Sequence, residues 1–281
     1  MIPGSFDYVR PSTLEEAVSS LRSAGEEGKV IAGGQSLLPL LRLRLAYPEV
    51  LIDVSALPEL RGVRDEGSSL LVGAMTSHYE VLRDPLIREH APLVAAATAT
   101  VADPAVRHRG TFGGSLAHAD PAGDLPAVVL AMDGVFVTSS REIPASAFFA
   151  DYLTSVLEPD EILIGIRLPK AYTGWGFHYE KFHRTAQAWA IVGVACLVNR
   201  SNGEIAGARI GLTNMGSTPV RASATEQAIT GGTAGHEAFR AAAVHAPEGT
   251  SPPSDLHGSA EYRQHLARVL TARALSKAAG V

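Results

Sequence analysis

Apolar positions along this chain switch between helical and strand periods in short alternating blocks. Leu14, Ala17, Val18 and Leu21 repeat at helical spacing. Ser12-Thr13-Leu14-Glu15 ahead of them has the spacing of a capping box with Ser12 as N-cap, and Gly25 marks the end. Lys29-Val30-Ile31-Ala32 predicts a short strand, and Ser36 is expected to cap the segment that follows. In that segment Leu37, Leu38, Leu40, Leu41, Leu43 and Leu45, interrupted by Pro39, Arg42 and Arg44, are read as core. Val50–Val54 predicts a second strand with its exit at Pro58, which closes a first unit, residues 1–58.

The second unit, residues 59–173, starts with a strand at Leu70–Ala74 and a capping box at Ser77-His78-Tyr79-Glu80. A buried helix is expected around Leu93–Ala99, then a polar approach over residues 103–110. A helix over Leu125–Met132 and strands at Gly134–Thr138 and Ile162–Pro169 follow. Beyond Gly174 the pattern changes to three strands in a meander, near 176–183, 189–199 and 204–214. A Pro- and Gly-rich loop over 245–258 leads to a helix from Glu261 to Lys277, basic on one face. Meander and helices together predict a separate α+β unit, residues 174–281.

Composition narrows the class. With 46% hydrophobic and 19% charged residues the chain is globular. Its formal charge of −5 argues against a nucleic-acid surface, and no apolar run is long enough for a membrane span. Met1–Asp7 lacks the features of a signal peptide, so a cytoplasmic protein is expected. Cys196 is the single cysteine and lies in the apolar run Ile191–Val198, where it reads as a core residue. One cysteine cannot hold an iron–sulfur cluster, and the histidines show no metal-ligand spacing, so no metal site is expected in this chain.

Candidate chemistry concentrates in two glycine pairs, Ala32-Gly33-Gly34-Gln35-Ser36 and Thr111-Phe112-Gly113-Gly114-Ser115. Glycine allows positive φ and leaves no Cβ between backbone and ligand. Successive N–H groups in such turns form anion-binding concavities. Two of them suit a ligand with two phosphates, a dinucleotide. Neither pair fits G-x-G-x-x-G or carries a Walker lysine, so neither a Rossmann site nor a nucleotide hydrolase is supported.

Extended through Leu37-Leu38-Pro39 and through Leu116-Ala117-His118-Ala119-Asp120-Pro121, the two segments resemble the FAD signatures of the flavoprotein (medium) subunits of molybdenum hydroxylases, a family that includes xanthine dehydrogenase. The Tyr179-Glu180-Lys181 strand, Leu212-Thr213-Asn214 and the last helix are similar to that family's C-terminal domain. Gln35 and Phe112 depart from the family's usual residues. The resemblance implies an α+β architecture: a PCMH-type FAD-binding fold of two α/β subdomains followed by a smaller α+β domain. It implies non-covalent FAD, with Ala32, Gly33, Gly34, Gln35, Ser36 and Leu37 along the pyrophosphate. Thr111, Gly114 and Ser115 would contact the phosphates and ribityl region, and Asp124 the ribityl or adenosine hydroxyls. Val101, Ala102, His118, Leu163 and Lys181 complete the implied site. The function implied is electron transfer from a small [2Fe–2S] subunit, through FAD, to an external acceptor. Hydroxylation would occur at a molybdopterin centre in a large subunit, within a dimer of heterotrimers, and no catalytic acid or base is required here.

Alternatives stand beside these roles. Asp124 reads equally as the N-cap of the 125–132 helix. Lys181 reads as a solvated surface charge, His118 as a loop-orienting residue, and Trp189 as packing or as a gate near the flavin. Two other functions remain open: a self-contained FAD oxidoreductase of the same fold, and a flavin-free scaffold subunit.

Overall fold

The computed structural model describes residues 2–281. Strand β1 (Asp7–Val9), helix α1 (Leu14–Ala24), β2 (Gly28–Ile31), α2 (Leu37–Leu43) and β3 (Val50–Asp53) open the chain. The three strands form a parallel sheet in the order β1-β3-β2. Parallel neighbours need crossovers, and the two helices supply them. The N-cap lies one residue later than the sequence suggests. Thr13 is the N-cap and accepts from the Glu16 N–H at 3.1 Å, while the Ser12 N–H and hydroxyl donate to the Glu16 carboxylate. Ser36 makes no side-chain cap, because its own backbone is already helical. Of the five leucines in α2 only Leu41 is buried, so this run is not core.

Next come β4 (Val63–Asp65), β5 (Ser69–Gly73) and six helices: α3 (His78–Arg83), α4 (Pro85–His90), α5 (Pro92–Ala99), α6 (Pro104–Arg109), α7 (Phe112–Ala117) and α8 (Asp124–Ala131). They are followed by β6 (Val135–Thr138), β7 (Glu142–Pro144), the single turn α9 (Ala145–Phe148), a small hairpin of β8 (Phe149–Asp151) and β9 (Thr154–Ser155), and β10 (Leu163–Pro169). The larger sheet here is antiparallel, ordered β4-β5-β10-β6-β7. Three of the helices begin at proline, where the missing N–H costs nothing. The polar approach over 103–110 is therefore a helix, with the Asp103 carboxylate accepting from Val106 N–H and Pro104 setting φ. The second glycine pair is likewise the first turn of α7 and not a loop.

The last unit is an antiparallel sheet of β11 (Gly176–Phe182), β12 (Val192–Ser201), β13 (Glu204–Thr213) and β14 (Val220–Arg221), packed against α10 (Ser223–Ile229), α11 (His236–Ala243) and α12 (Ala260–Ala279). Cys196 is fully buried in its core, and burial pushes its thiol pKa up. Helix α12 is not simply basic on an outer face. Arg263 is wholly buried, with its guanidinium donating to the Ile191 carbonyl and to both oxygens of Asp255. The cores are shared between units: Met75 and Ile162 join the one under the first sheet, and Tyr179, Ala195 and Leu197 join the one under the second. No described helix is long and apolar enough to cross a membrane.

Candidate functional site

The two glycine segments, far apart in sequence, meet. A Cβ on Gly33 would lie 2.2 Å from the Arg109 carbonyl oxygen and 2.9 Å from Gly110 Cα. A Cβ on Gly114 would lie 2.5 Å from Thr111 Oγ1 and 3.6 Å from the Ala32 methyl. The first segment leaves β2 and seats itself on the start of α7, so that the pair forms one wall and not two separate anion sites.

Their backbones do different things. Gly34 has φ +72°, which turns the chain from β2 into α2. Among the described residues, the N–H groups of Gly33, Gly34, Gln35 and Ser36 donate to no protein acceptor. A row of free donors in a tight turn is what an anion needs. The second segment has spent its donors on the protein: Phe112 N–H to Thr76, Gly113 N–H to Ala74 (2.8 and 2.9 Å), and Gly114 N–H to Thr111 Oγ1 at 3.2 Å. Its glycines are there for close packing, since a Cβ on Gly113 would lie 2.4 Å from that of Ala74. What α7 still offers is side-chain oxygen. Ser115 Oγ donates to the Phe112 carbonyl at 2.8 Å and keeps its acceptor lone pairs. His118 follows α7, half-buried; burial lowers its pKa, with Asp120 opposing that and Lys29 adding to it.

A second group gathers around Asp124. This residue is not the N-cap of α8; Gly123 is, and Asp124 is the first helical residue, with its carboxylate turned inward. Lys181 Nζ donates to Asp124 Oδ2 at 2.8 Å and to the Thr100 carbonyl at 3.1 Å. Tyr179 hydroxyl donates to Asp124 Oδ1 at 2.7 Å and lies 3.5 Å from Thr213 Oγ1. Lys181 is thus no surface charge: its side chain is 3% exposed and that of Asp124 4%. Burial pushes the Asp124 carboxyl up, and the Lys181 ammonium, then the Tyr179 bond, pull it back. Each carboxylate oxygen has taken one donor and can take another.

Thr100 leads into Val101 and Ala102, so the Lys181 bond sets this turn beside the buried pair. Ala102 has φ +42°, and Arg107 holds the Val101 carbonyl at 2.8 Å. Asp103 next to it accepts from the Gln187 amide at 2.5 Å, which ties residues 183–190 of the last unit across the turn. Trp189 in that segment is 55% exposed. Leu163 joins neither group; it is buried at the start of β10, opposite Thr138.

Two sets of residues escape the sequence reading. A cleft of about 320 Å³ beside Ala32, Gly33 and Thr111 is lined by Ser55, Arg61, Ser77, Tyr79, His108 and Arg109. At that volume it holds part of a dinucleotide and not the whole. Nothing in the spacing of these residues marks them, because they come from four different segments. Tyr179 is different. It and Lys181 are two apart on a strand and so share a face, while His178 and Glu180 pair on the other, where Glu180 also accepts from Lys277. That alternation is visible in the sequence; the buried acid that gives it meaning is not.

Known proteins match this chain along nearly its whole length. The family model described as the FAD binding domain in molybdopterin dehydrogenase matches residues 4–171, and the CO dehydrogenase flavoprotein C-terminal domain matches residues 177–278. The carbon monoxide dehydrogenase medium chain of Hydrogenophaga pseudoflava is 39% identical, over 99% of this chain and 98% of that one. The 6-hydroxypseudooxynicotine dehydrogenase complex subunit alpha of Paenarthrobacter nicotinovorans is 36% identical, over 99% and 96%. A solved structure of carbon monoxide dehydrogenase from Hydrogenophaga pseudoflava superposes with a TM-score of 0.96 at 41% identity, covering 99% of this chain and 98% of that chain.

Proposed function

This chain belongs to the medium, FAD-binding subunits of the molybdopterin-dependent dehydrogenases, and we propose that its 32–36 loop and its buried Asp124–Lys181 pair are the two grips on that FAD. The observation that carries the proposal is the set of unspent N–H donors from Gly33 to Ser36, facing a wall that any Cβ on Gly33 or Gly114 would crowd. These residues fit an extended dinucleotide: anion donors at one place and a buried hydroxyl acceptor at another. When bound, FAD supplies the conversion between one- and two-electron transfer.

The N–H groups of the first segment receive the pyrophosphate, and Thr111, Gly114 and Ser115 close its other side. Asp124 accepts ribityl hydroxyls with the lone pairs that Lys181 and Tyr179 leave free. Lys181 opposes the burial that raises the Asp124 carboxyl pKa and brings its ammonium to the flavin end. Val101 and Ala102, placed by the Lys181–Thr100 bond, line the same end, with Gln35, Leu37, His118 and Leu163 as outer contacts. No residue in this scheme moves a proton to or from a hydroxylated substrate. Two relatives of similar identity are named for carbon monoxide and for 6-hydroxypseudooxynicotine, so the choice of substrate belongs to another chain.

Those relatives are named as a medium chain and as a subunit of a dehydrogenase complex, and for this chain we infer a large partner with the molybdopterin and a small one with the iron–sulfur centres. We extend this to a cytoplasmic dimer of heterotrimers. In it, electrons reach the FAD from the small subunit and leave to an external acceptor. Residues 1–58 and 59–173 would form the two cofactor-clasping subdomains, and 174–281 the third domain that contributes Lys181.

The purified chain is expected to carry non-covalent FAD, read from its visible spectrum and by mass spectrometry of the released cofactor. Lys181→Met leaves Asp124 buried without its cation, a change that costs about 3–5 kcal/mol. It should lower both flavin occupancy and the unfolding midpoint. Full flavin occupancy in Lys181→Met would reject the assigned grip, and a wild-type chain that binds no FAD even in its complex would reject the function.

A further inference from the structure

We propose that Asn214 is a positioning residue for the bound FAD: with one backbone and one side-chain hydrogen bond it fixes the turn before Asp124 against the segment after Lys181. The inference rests on the function proposed above and adds the residue that holds the two halves of the flavin grip in register.

Asn214 follows the last residue of β13 and is buried, with its backbone in the left-handed region at φ 61°. Its N–H donates to the Pro121 carbonyl at 2.8 Å, and its side-chain Nδ2 donates to the Ala190 carbonyl at 2.8 Å. Those two carbonyls belong to different units of the fold. Pro121 closes the second glycine signature, three residues before Asp124. Ala190 closes segment 183–190, and the next residue, Ile191, donates its N–H at 2.8 Å to the carbonyl of Phe182, the neighbour of Lys181. One residue therefore grips the chain on both sides of the buried Asp124–Lys181 pair.

The choice of asparagine answers two demands at once. A left-handed backbone is tolerated by glycine, and by asparagine and aspartate better than by other residues. The side chain must also donate, because what faces it is a carbonyl oxygen. Glycine has nothing to donate with, and an ionised aspartate only accepts. The preceding residue serves the same place. Thr213 is fully buried, with Oγ1 3.5 Å from the Tyr179 hydroxyl that donates to Asp124. The Leu212-Thr213-Asn214 ending of β13 thus meets Asp124 twice, once through Tyr179 and once through the turn at Pro121.

Segment 183–190 shows why the side-chain bond matters. Its exit is held at two successive carbonyls, Ala190 by Asn214 and Ile191 by the buried guanidinium of Arg263. Its middle is held across the Val101–Ala102 turn by the Gln187 amide on Asp103. Arg263 ties the segment to Asp255 of the same unit, whereas Asn214 ties it to the turn that carries Asp124. Ala190 is buried, so a carbonyl that loses the Asn214 amide must shift to find another donor. That shift moves the segment relative to Asp124 and loosens the flavin end.

The test uses the assembled complex, made by co-expressing this chain with its large and small partners. It reads the rate of FAD release on dilution, the visible circular dichroism of the bound flavin and the urea midpoint. Asn214→Gly keeps the left-handed backbone and the N–H to Pro121 and removes the donor to Ala190. It should release FAD about tenfold faster and alter the flavin dichroism, which a loss of global stability alone does not do. Asn202→Gly, at the exposed left-handed turn between β12 and β13, is the control for backbone relief and should leave both at wild-type values. Gln187→Ala frees the same segment at its middle, so its effect on release should not simply multiply with that of Asn214→Gly. Wild-type release from Asn214→Gly overturns the proposal. So does strict multiplication of the two single effects, and so does a lowered urea midpoint with unchanged dichroism, which assigns Asn214 to the fold alone. Where Asn214→Gly does not assemble, hydrogen exchange on the wild type decides. Removing FAD should speed exchange in residues 118–123 and 183–190 together, and a response in one of them alone overturns the proposal. A wild-type complex without FAD overturns the functional reading, and this proposal with it; full FAD in the wild type with unaltered release from Asn214→Gly overturns this proposal only.

Discussion

Gly33 and Gly34 are adjacent, yet they are glycine for different reasons. At Gly34 the reason is backbone, a φ of +72° that costs an L-residue about 1–2 kcal/mol. At Gly33 it is space, because the Arg109 carbonyl already occupies the volume of a side chain. Gly33→Ala should therefore push the first segment off the end of α6. We expect it to lower FAD occupancy sharply while costing the fold about 1–3 kcal/mol, the usual penalty of overpacking. Flavin absorbance per chain, measured beside an unfolding curve, checks this; full occupancy would show that the contact is not part of the cofactor site. The sequence displays both glycine pairs plainly. It does not show that the second pair packs on Ala74 and gives up its N–H groups, since that depends on where β5 lies. Asp124 and Lys181 follow the same rule. Each reads as an ordinary surface or cap residue until the fold closes one over the other in the absence of water.

At the scale of elements, local chemistry is largely readable. Ser77 and Glu80 form the reciprocal capping box that their spacing predicts, with Ser77 Oγ accepting from the Glu80 N–H at 3.2 Å and Glu80 accepting from the Ser77 N–H at 2.8 Å. Ser77→Ala removes one half of it and should destabilise the chain by about 1 kcal/mol. A shift in the urea midpoint without a change in slope is the expected signature. Where elements are misread, a local signal is outweighed by a neighbour. Ser12 yields the cap to Thr13 because Glu16 engages both the N–H and the hydroxyl of Ser12. The 103–110 segment looks polar and loop-like, yet Asp103 and Pro104 together start a helix. The leucines of α2 have a core-like composition, and only the fold reveals that Leu41 alone among them is buried.

At the scale of the whole molecule, the buried titratable groups set how the fold responds to acid. His78 is 2% exposed, and burial, with the charge of Arg107, lowers its pKa to about 4. The unfolded chain takes up this proton near 6.5 and the folded chain only near 4, so stability falls as pH drops across that window. His118, also lowered by burial, acts in the same direction. A second stage comes from Glu161. Burial works to raise its pKa, but bonds from Arg141, Thr138, the Glu158 N–H and Ser140 overcome that and hold it at about 2. Its contribution is complete above 4.5 and is lost as pH falls through about 2. Unfolding midpoints measured from pH 7 to 3 should decline from the first stage onward, and His78→Leu should flatten that first decline; an unchanged slope would assign it elsewhere. The sequence by itself determined the class, the family, many of the longer helices and strands and the positions of the glycine signatures, because these depend on local periodicity and on residues contiguous in the chain. Only the tertiary structure decided that the two signatures make one wall, that Lys181 is buried against Asp124, and that α2 buries Leu41 while it exposes Leu38 and Leu43. Those facts are pairings between residues distant in sequence, and burial, which gives a charge or a leucine its meaning, is a property of the packed molecule and not of the chain.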